Sequence, residues 1–290
     1  MNQLKTTILN GKKVAEKVLT RITTEVNSLK SSNKRIPGLA VILIGDNPAS
    51  HAYVRNKEKA CKNVGFHSEI YHLGLEISET QVAELIESLN QNNKIDGVLI
   101  QLPLPAHIKL KNLMNILNPD KDVDGLHPYN LGKLASGQDS ITPCTPRAVI
   151  EILDFYNINV TGTNSVIIGR SNLVGKPLAL LLLNKNATVT IAHSKSKDLE
   201  GISRKADLLI SAVGKPNLVT ETWVKPGAIV IDVGINKINI KEKSILVGDV
   251  AFEGVSKIAS AITPVPGGVG PVTVAMLMQN TLAAYIASSS

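Results

Sequence analysis

Apolar residues recur every three to four positions over residues 11–30, with Val14, Val18, Ile22 and Val26 on one face. This spacing predicts an amphipathic helix, ended by the polar connector at 31–37. The period then changes. A continuous apolar run at 39–44 predicts a buried strand, followed by a turn at 45–49 and a helix over 50–64 closed by Gly65. A strand at 67–73, a helix at 79–92 and an apolar strand at 97–100 follow, the last running into Gln101-Leu-Pro-Leu-Pro105. Alternation of strand and helix makes this half α/β.

The segment 118–128 is turn-rich and acidic, and the chain passes Gly132 and Gly137 before Thr142-Pro-Cys-Thr-Pro146. This stretch reads as a hinge region, with Thr145 as the cap of a helix that starts at Pro146 and continues over 148–156. A second α/β series follows, with buried strands at 166–168, 206–214 and 227–234. The glycine-rich loop at 263–273 leads into an apolar helix at 274–286, which needs a packing partner.

At 290 residues the chain is long enough for two domains. A hydrophobic content of 43% with 3% aromatics describes a core of Val, Ile, Leu and Ala, as parallel sheets use. The net charge of +7 is spread along the chain without an arginine-rich or aromatic-basic cluster, so anionic small molecules are expected as partners and nucleic acid is not. Cys61 and Cys144 form no motif, which fits unpaired thiols in a reducing compartment. The histidines lack ligand spacing, so no metal is expected. With no signal-like segment and no apolar run of about 18 residues, a cytoplasmic protein without a membrane partner is the expectation.

Residues 165–195 carry the first candidate chemistry. An apolar strand, a turn containing Gly169, Arg170, Ser171, Val174 and Gly175, a helix over 176–183 and a strand ending in His193-Ser194-Lys195 follow the order of a dinucleotide-binding unit. The glycines are spaced G-x-x-x-x-x-G, which any βα turn could show; the strand-turn-helix order carries the assignment. The second strand lacks the Asp or Glu that receives the ribose hydroxyls of NAD, and cationic and hydroxyl groups stand there instead. This points to NADP. Gly214, Ile235 and the backbone at Val174 and Gly175 are further candidates to line the nucleotide.

Tyr53 and Lys57 are four apart in a predicted helix and share a face, as an ordinary surface pair also would. Gln101 lies at the carboxyl edge of an apolar strand, where open α/β folds receive ligands. Asp122 and Asp124 sit in a turn, where a carboxylate either caps local backbone or accepts from a ligand. The glycine loop at 267–270 offers close backbone access.

Together these residues give the chain its resemblance to the bifunctional methylenetetrahydrofolate dehydrogenase/methenyltetrahydrofolate cyclohydrolase family. The matching stretches include Gly45-Asp-Asn-Pro-Ala-Ser50, Tyr53-Val-Arg-Asn-Lys-Glu-Lys-Ala-Cys61, Gln101-Leu-Pro-Leu104 and Pro119-Asp-Lys-Asp-Val-Asp-Gly125. Pro143-Cys-Thr-Pro146, Gly169-Arg-Ser171, His193-Ser194 and Pro264-Val-Pro-Gly-Gly-Val-Gly-Pro271 continue the match. Ala148 departs from the glycine common at that position in the family, which bears on local packing only.

The resemblance implies an α/β fold of two domains and a homodimer. A folate-binding catalytic domain would span 1–142, completed by 271–290 packing back on it, and a Rossmann-like NADP-binding domain would span 143–270, with a cleft between them. It also implies that Lys57 is the central catalytic residue, Tyr53 its positioning partner, Gln101 a group that tunes the lysine and Asp124 the carboxylate that anchors the pterin. Leu102, Pro266, Gly267 and Gly268 complete the candidate substrate contacts. Arg170 and Ser194 would hold the ribose phosphate, with Lys195 as a further candidate. Burial with cationic neighbours is expected to lower the Lys57 pKa. A dehydrogenase lacking the hydrolytic step, another two-domain NADP dehydrogenase and a non-catalytic nucleotide sensor are the competing readings.

Overall fold

A computed structural model describes residues 6–240 and 243–289. In chain order the first half reads β1 (Thr7–Ile8), α1 (Gly11–Ser31), β2 (Gly38–Ile44), α2 (Pro48–Val64), β3 (His67–Leu73), α3 (Glu79–Gln91), β4 (Gly97–Ile100), α4 (Leu110–Ile116) and α5 (Pro128–Ala135). The second half reads α6 (Cys144–Phe155), β5 (Asn164–Ile168), α7 (Gly175–Asn184), β6 (Thr188–Ala192), α8 (Leu199–Ser203), β7 (Leu208–Ser211), β8 (Ile229–Asp232), β9 (Asn236–Ile240), β10 (Lys243–Val247), α9 (Phe252–Val255), β11 (Ala261–Ile262) and α10 (Val269–Ser288). The chain divides into two compact units, one of Glu16–Cys144 with the chain from Val274 onward, the other of Thr145–Thr273 with the chain up to Ala15.

The first unit is built on a parallel sheet ordered β3-β2-β4. Every residue of β2 is buried, as its uninterrupted apolar run requires of a central strand. Ala40, Ile42 and Ile44 pack with Val98, Ile100, Val82, Ile86 and Leu113 in one core. Gly97 lets the turn after α4 come close, since a Cβ there would stand 2.5 Å from Val123 Cγ1. At the same strand end, buried Asp96 receives Arg35 Nη1 at 2.7 Å and Nη2 at 2.8 Å, plus the Gly38 N–H.

The last helix supplies the rest of this unit's interior. Asn280 is fully buried and donates to the carbonyls of Val123 and Thr142, both at 2.9 Å, while Met278 Sδ meets Cys61 Sγ at 3.6 Å. The partner that the apolar C-terminal helix needs is thus the first unit itself. By length and composition alone, α10 is apolar enough to cross a membrane, a span that the sequence reading did not find; most of it is buried inside the protein.

The second unit holds a parallel sheet ordered β1-β11-β8-β7-β5-β6, with the antiparallel β9-β10 pair beside it in the chain. Its central strands β5 and β7 are buried almost throughout, whereas the edge strand β6 keeps Thr188, Thr190 and Ile191 exposed. Here the expected first boundary shifts. β1 pairs with β11, Thr7 against Ala261 and Ile8 against Ile262, so residues 7–15 belong with the second unit and not with 16–142. Two helix starts also move. The helix predicted from Pro146 begins at Cys144, and the helix predicted from 274 begins at Val269. Both earlier starts keep Pro146 or Pro271 within the first turn, where the missing N–H has no intrahelical acceptor to lose.

Candidate functional site

In the first unit, α2 and the end of β4 set the central group. Asn47 caps α2 by accepting from the N–H groups of Ala49 and Ser50, with Pro48 in the first turn, so the helix starts at a defined point and carries Lys57 inward. The sequence reading started this helix at Ser50. Lys57 Nζ donates to Gln101 Oε1 at 2.9 Å, and Gln101 Nε2 in turn donates to the Leu102 carbonyl at 2.7 Å. Buried Gln101 is thereby locked with its oxygen facing the amine. Leu102 precedes Pro103 through a cis peptide bond.

Burial pushes the Lys57 pKa down, opposed by the negative charge of Asp124 and by Cys144. The direction matches the expectation and the cause differs: desolvation alone lowers it, and the neighbours that act on it, Asp124 and Cys144, raise it, as cations would not. Burial likewise raises the Asp124 carboxyl, against the pull of Lys57, with Asp122 adding to the rise and Cys144 hydrogen-bonded to it. The Cys144 thiol is held well above its ordinary range by burial and by Asp124. Amine, carboxyl and thiol therefore form one coupled group. Both cysteines are free and buried.

The two aspartates separate cleanly. Asp122 is 1% exposed and accepts the His127 N–H at 2.7 Å and Asn130 Nδ2 at 3.1 Å, so it braces the turn before α5. Asp124 is left as the carboxylate beside Lys57. Tyr53 shares the helix face but stays 44% exposed, and no hydrogen bond to Lys57 is recorded among the described residues. Gln101, from another element, is the residue that positions the amine.

Sequence reasoning missed Cys144 and Asn280. Cys144 Sγ approaches the Val123 carbonyl at 3.3 Å, and Asn280 Nδ2 lies 3.5 Å from that sulfur. The Pro-Cys-Thr-Pro stretch was the available signal for the thiol; nothing in an apolar helix marks its one buried amide as a clamp.

Pro266, Gly267 and Gly268 belong to the second unit. Gly11 N–H donates to the Gly267 carbonyl at 2.9 Å, and a Cβ on Gly11 would stand 1.8 Å from Gly268 O. These glycines thus allow the loop to pack on the first turn of α1. Gly267 also has φ +103°, a conformation other residues rarely adopt.

At the carboxyl edge of the second unit's sheet, Gly169 has φ +128° and a Cβ on Gly175 would stand 2.2 Å from Gly169 O. The turn and the start of α7 are therefore in backbone contact, as a phosphate-cradling turn requires. Ser171 Oγ accepts the Val174 N–H at 3.1 Å and so shapes the turn from within. Parallel pairing of Ile168 with Ala192 brings the Arg170 turn alongside His193 and Ser194. Arg170, Ser194 and Lys195 are exposed and enter no ion pair among the described residues. Asp198, the nearest following acid, is committed as the cap of α8 through Gly201 N–H. The available donors suit a phosphorylated ribose. His193 Nδ1 accepts the Lys195 N–H at 3.2 Å, which holds that turn.

Gly214 and the glycine after β8 serve internal carboxylates. Buried Asp249 accepts from the N–H groups of Val213, Gly214 and Lys215 at 2.8, 3.2 and 2.9 Å, and from Ser211 Oγ and Asn236 Nδ2. Asp232 accepts the N–H groups of Gly234, Asp249 and Val250. Ile235 is 45% exposed, and its Cδ1 would lie 3.6 Å from a Cβ placed on Gly270.

Comparison with known proteins agrees across the whole chain. Residues 9–124 match the tetrahydrofolate dehydrogenase/cyclohydrolase catalytic domain, and residues 143–289 match the NAD(P)-binding domain of the same family. The bifunctional protein FolD of Nitratiruptor sp. is 53% identical over 277 residues, covering 96% of this chain and 97% of its own. The structure of the bifunctional FolD enzyme of Campylobacter jejuni superposes with a TM-score of 0.94 at 46% identity, covering 98% of this chain and 99% of its own. That of the Trypanosoma brucei dehydrogenase-cyclohydrolase, complexed with NADP cofactor and an inhibitor, gives 0.94 at 38% identity with 98% of both chains covered. With both domain families matched in order and relatives near half identical from end to end, the chain belongs to the tetrahydrofolate dehydrogenase/cyclohydrolase family.

Proposed function

We propose that the protein is a bifunctional one-carbon folate enzyme that oxidises methylenetetrahydrofolate to methenyltetrahydrofolate with NADP and hydrolyses that product to formyltetrahydrofolate. The observation that carries this reading is the Lys57 amine, kept short of its usual basicity by burial and aimed by Gln101 beside Asp124. The pterin edge presents N–H donors, which the Asp124 carboxylate accepts. When bound to Arg170, Ser194 and the Gly169–Gly175 turn, NADP supplies the acceptor for the hydride that leaves the methylene carbon. Oxidation makes the carbon cationic, and a neutral Lys57 amine is better tolerated beside it than an ammonium. In the second step water adds to the methenyl carbon and Lys57 Nζ takes one of its protons; that proton reaches the ring nitrogen as its bond to the carbon breaks, and the remaining hydroxyl proton leaves to solvent as the formyl carbonyl forms. Gln101 holds Nζ by accepting its N–H, which leaves the amine lone pair for this transfer.

The same reading makes the protein a cytoplasmic homodimer with folate as its small-molecule partner and no nucleic-acid or membrane partner; its formyl product would serve purine biosynthesis. The free, buried Cys61 and Cys144 support a reducing compartment. Purified protein given methylenetetrahydrofolate and NADP should produce a methenyl absorbance that rises and then decays, and should elute as a dimer. Turnover that stops at the methenyl stage would leave only a dehydrogenase. Absence of turnover with either nicotinamide cofactor would remove the enzymatic reading.

A further inference from the structure

At the carboxyl end of the three-stranded sheet, three side chains converge that their sequence spacing leaves unrelated. Asp46 lies in the turn after β2, His51 in the first turn of α2 and His72 next to the end of β3. Parallel pairing sets His72 against Leu43, and its ring reaches the β2–α2 turn, with Nε2 3.3 Å from the Gly45 carbonyl oxygen. Asp46 Oδ1 stands 3.1 Å from His72 Nε2 and 3.4 Å from His51 Nε2. All three atoms lie within 4.8 Å of one another, and the two rings meet edge to face at 89°.

Two imidazole nitrogens and one carboxylate oxygen are the donor set of a borderline divalent ion such as Zn²⁺ or Co²⁺, whereas Mg²⁺ and Ca²⁺ take oxygen donors. Ligand atoms bound at about 2.0–2.2 Å in a tetrahedral shell stand roughly 3.3–3.5 Å apart. The two distances from Asp46 Oδ1 are close to that spacing without any backbone movement. The turn that carries Asp46 is fixed by the Asn47 cap on α2, so the ligands are held by a capped helix and a paired strand. His51 is half-buried while Asp46 and His72 are exposed, which leaves an approach from solvent and room for water in the remaining positions.

We propose that Asp46, His51 and His72 form a binding site for one divalent transition-metal ion of the zinc class. The ion ties the start of α2 to the end of β3 and takes no part in the chemistry at Lys57. The tests are calorimetric titration of the full-length protein with Zn²⁺ and the visible spectrum with Co²⁺. One equivalent should bind, without the thiolate absorption that Cys61 or Cys144 would give. H51Q and H72Q should each weaken binding by at least about tenfold, as loss of a direct ligand exceeds loss of a supporting one. H67Q, which removes a histidine paired with Glu69, should bind as the parent does. Circular dichroism and metal-free methylenetetrahydrofolate oxidation should be unchanged in all three variants. Failure of the parent to take up an equivalent, or uptake that survives in the H51Q/H72Q double variant, would overturn the site.

Discussion

Replacing Arg170 and Ser194 together by alanine should separate NADP from NAD binding. Arg170 follows β5 and Ser194 follows β6, neighbours paired through Ile168 and Ala192, and both side chains are exposed. Arg170 enters no ion pair among the described residues, so its guanidinium is not committed elsewhere in the fold. A hydrogen bond to a charged group contributes about 1.5–3 kcal/mol, and solvent exposure places this pair toward the low side. The double variant should therefore lose about 2–4 kcal/mol of NADP affinity, or roughly 30- to 700-fold at 1.4 kcal/mol per decade. NAD presents no ribose phosphate, so its affinity should fall less than about threefold, a few tenths of a kcal/mol. Fluorescence titration with each reduced cofactor at two salt concentrations measures this, and the NADP difference should shrink as salt rises. Equal weakening of both cofactors would refute the assignment of these residues to the phosphate.

Three other perturbations probe other parts of the account. Hydrolysis of methenyltetrahydrofolate above the uncatalysed rate should rise with pH through the depressed Lys57 pKa and level off below 10.5; in Asp124→Asn at saturating substrate this limb should move to lower pH, because Asp124 normally raises Lys57. A limb that stays in place would contradict their coupling. Gly175→Ala puts a Cβ 2.2 Å from Gly169 O, which must push α7 from the turn; stability should fall by about 1–3 kcal/mol and NADP should bind at least about tenfold more weakly, by thermal melts and titration. Burial raises Asp232 to about 6, above its ordinary 3.8, so its contribution to stability is greatest below pH 3.8 and is lost as pH rises through 6. Urea unfolding at pH 4 and 7 should show this loss, on the order of 3 kcal/mol, in the parent and not in Asp232→Asn.

Period and capping made much of the fold legible. The apolar run at 39–44 became the central strand β2, and Gly65 closes α2 in the left-handed conformation. Pairing across the chain was not legible: a two-residue strand such as Thr7–Ile8 has no period to read, yet its pairing with β11 assigns residues 7–15 to the nucleotide unit. At the site, residue type and family motif singled out Lys57, Gln101 and Asp124. Which aspartate braces the turn, and that Cys144 couples to the other, depended on side chains meeting across elements. Gly214, which follows β7, was expected to line the nucleotide, but its N–H is given to Asp249. A carboxylate far along the sequence had filled the place that local reading reserved for a ligand.

The most direct test of the account is Lys57→Met in the two-step assay, with NADP titrated in parallel. The variant should bind NADP with parental affinity, because Lys57 and the Gly169 turn belong to separate units of the chain, while hydrolysis of methenyltetrahydrofolate falls to the uncatalysed rate. Hydrolysis persisting above that rate would contradict the claim that the buried amine held by Gln101 is the group that moves the proton.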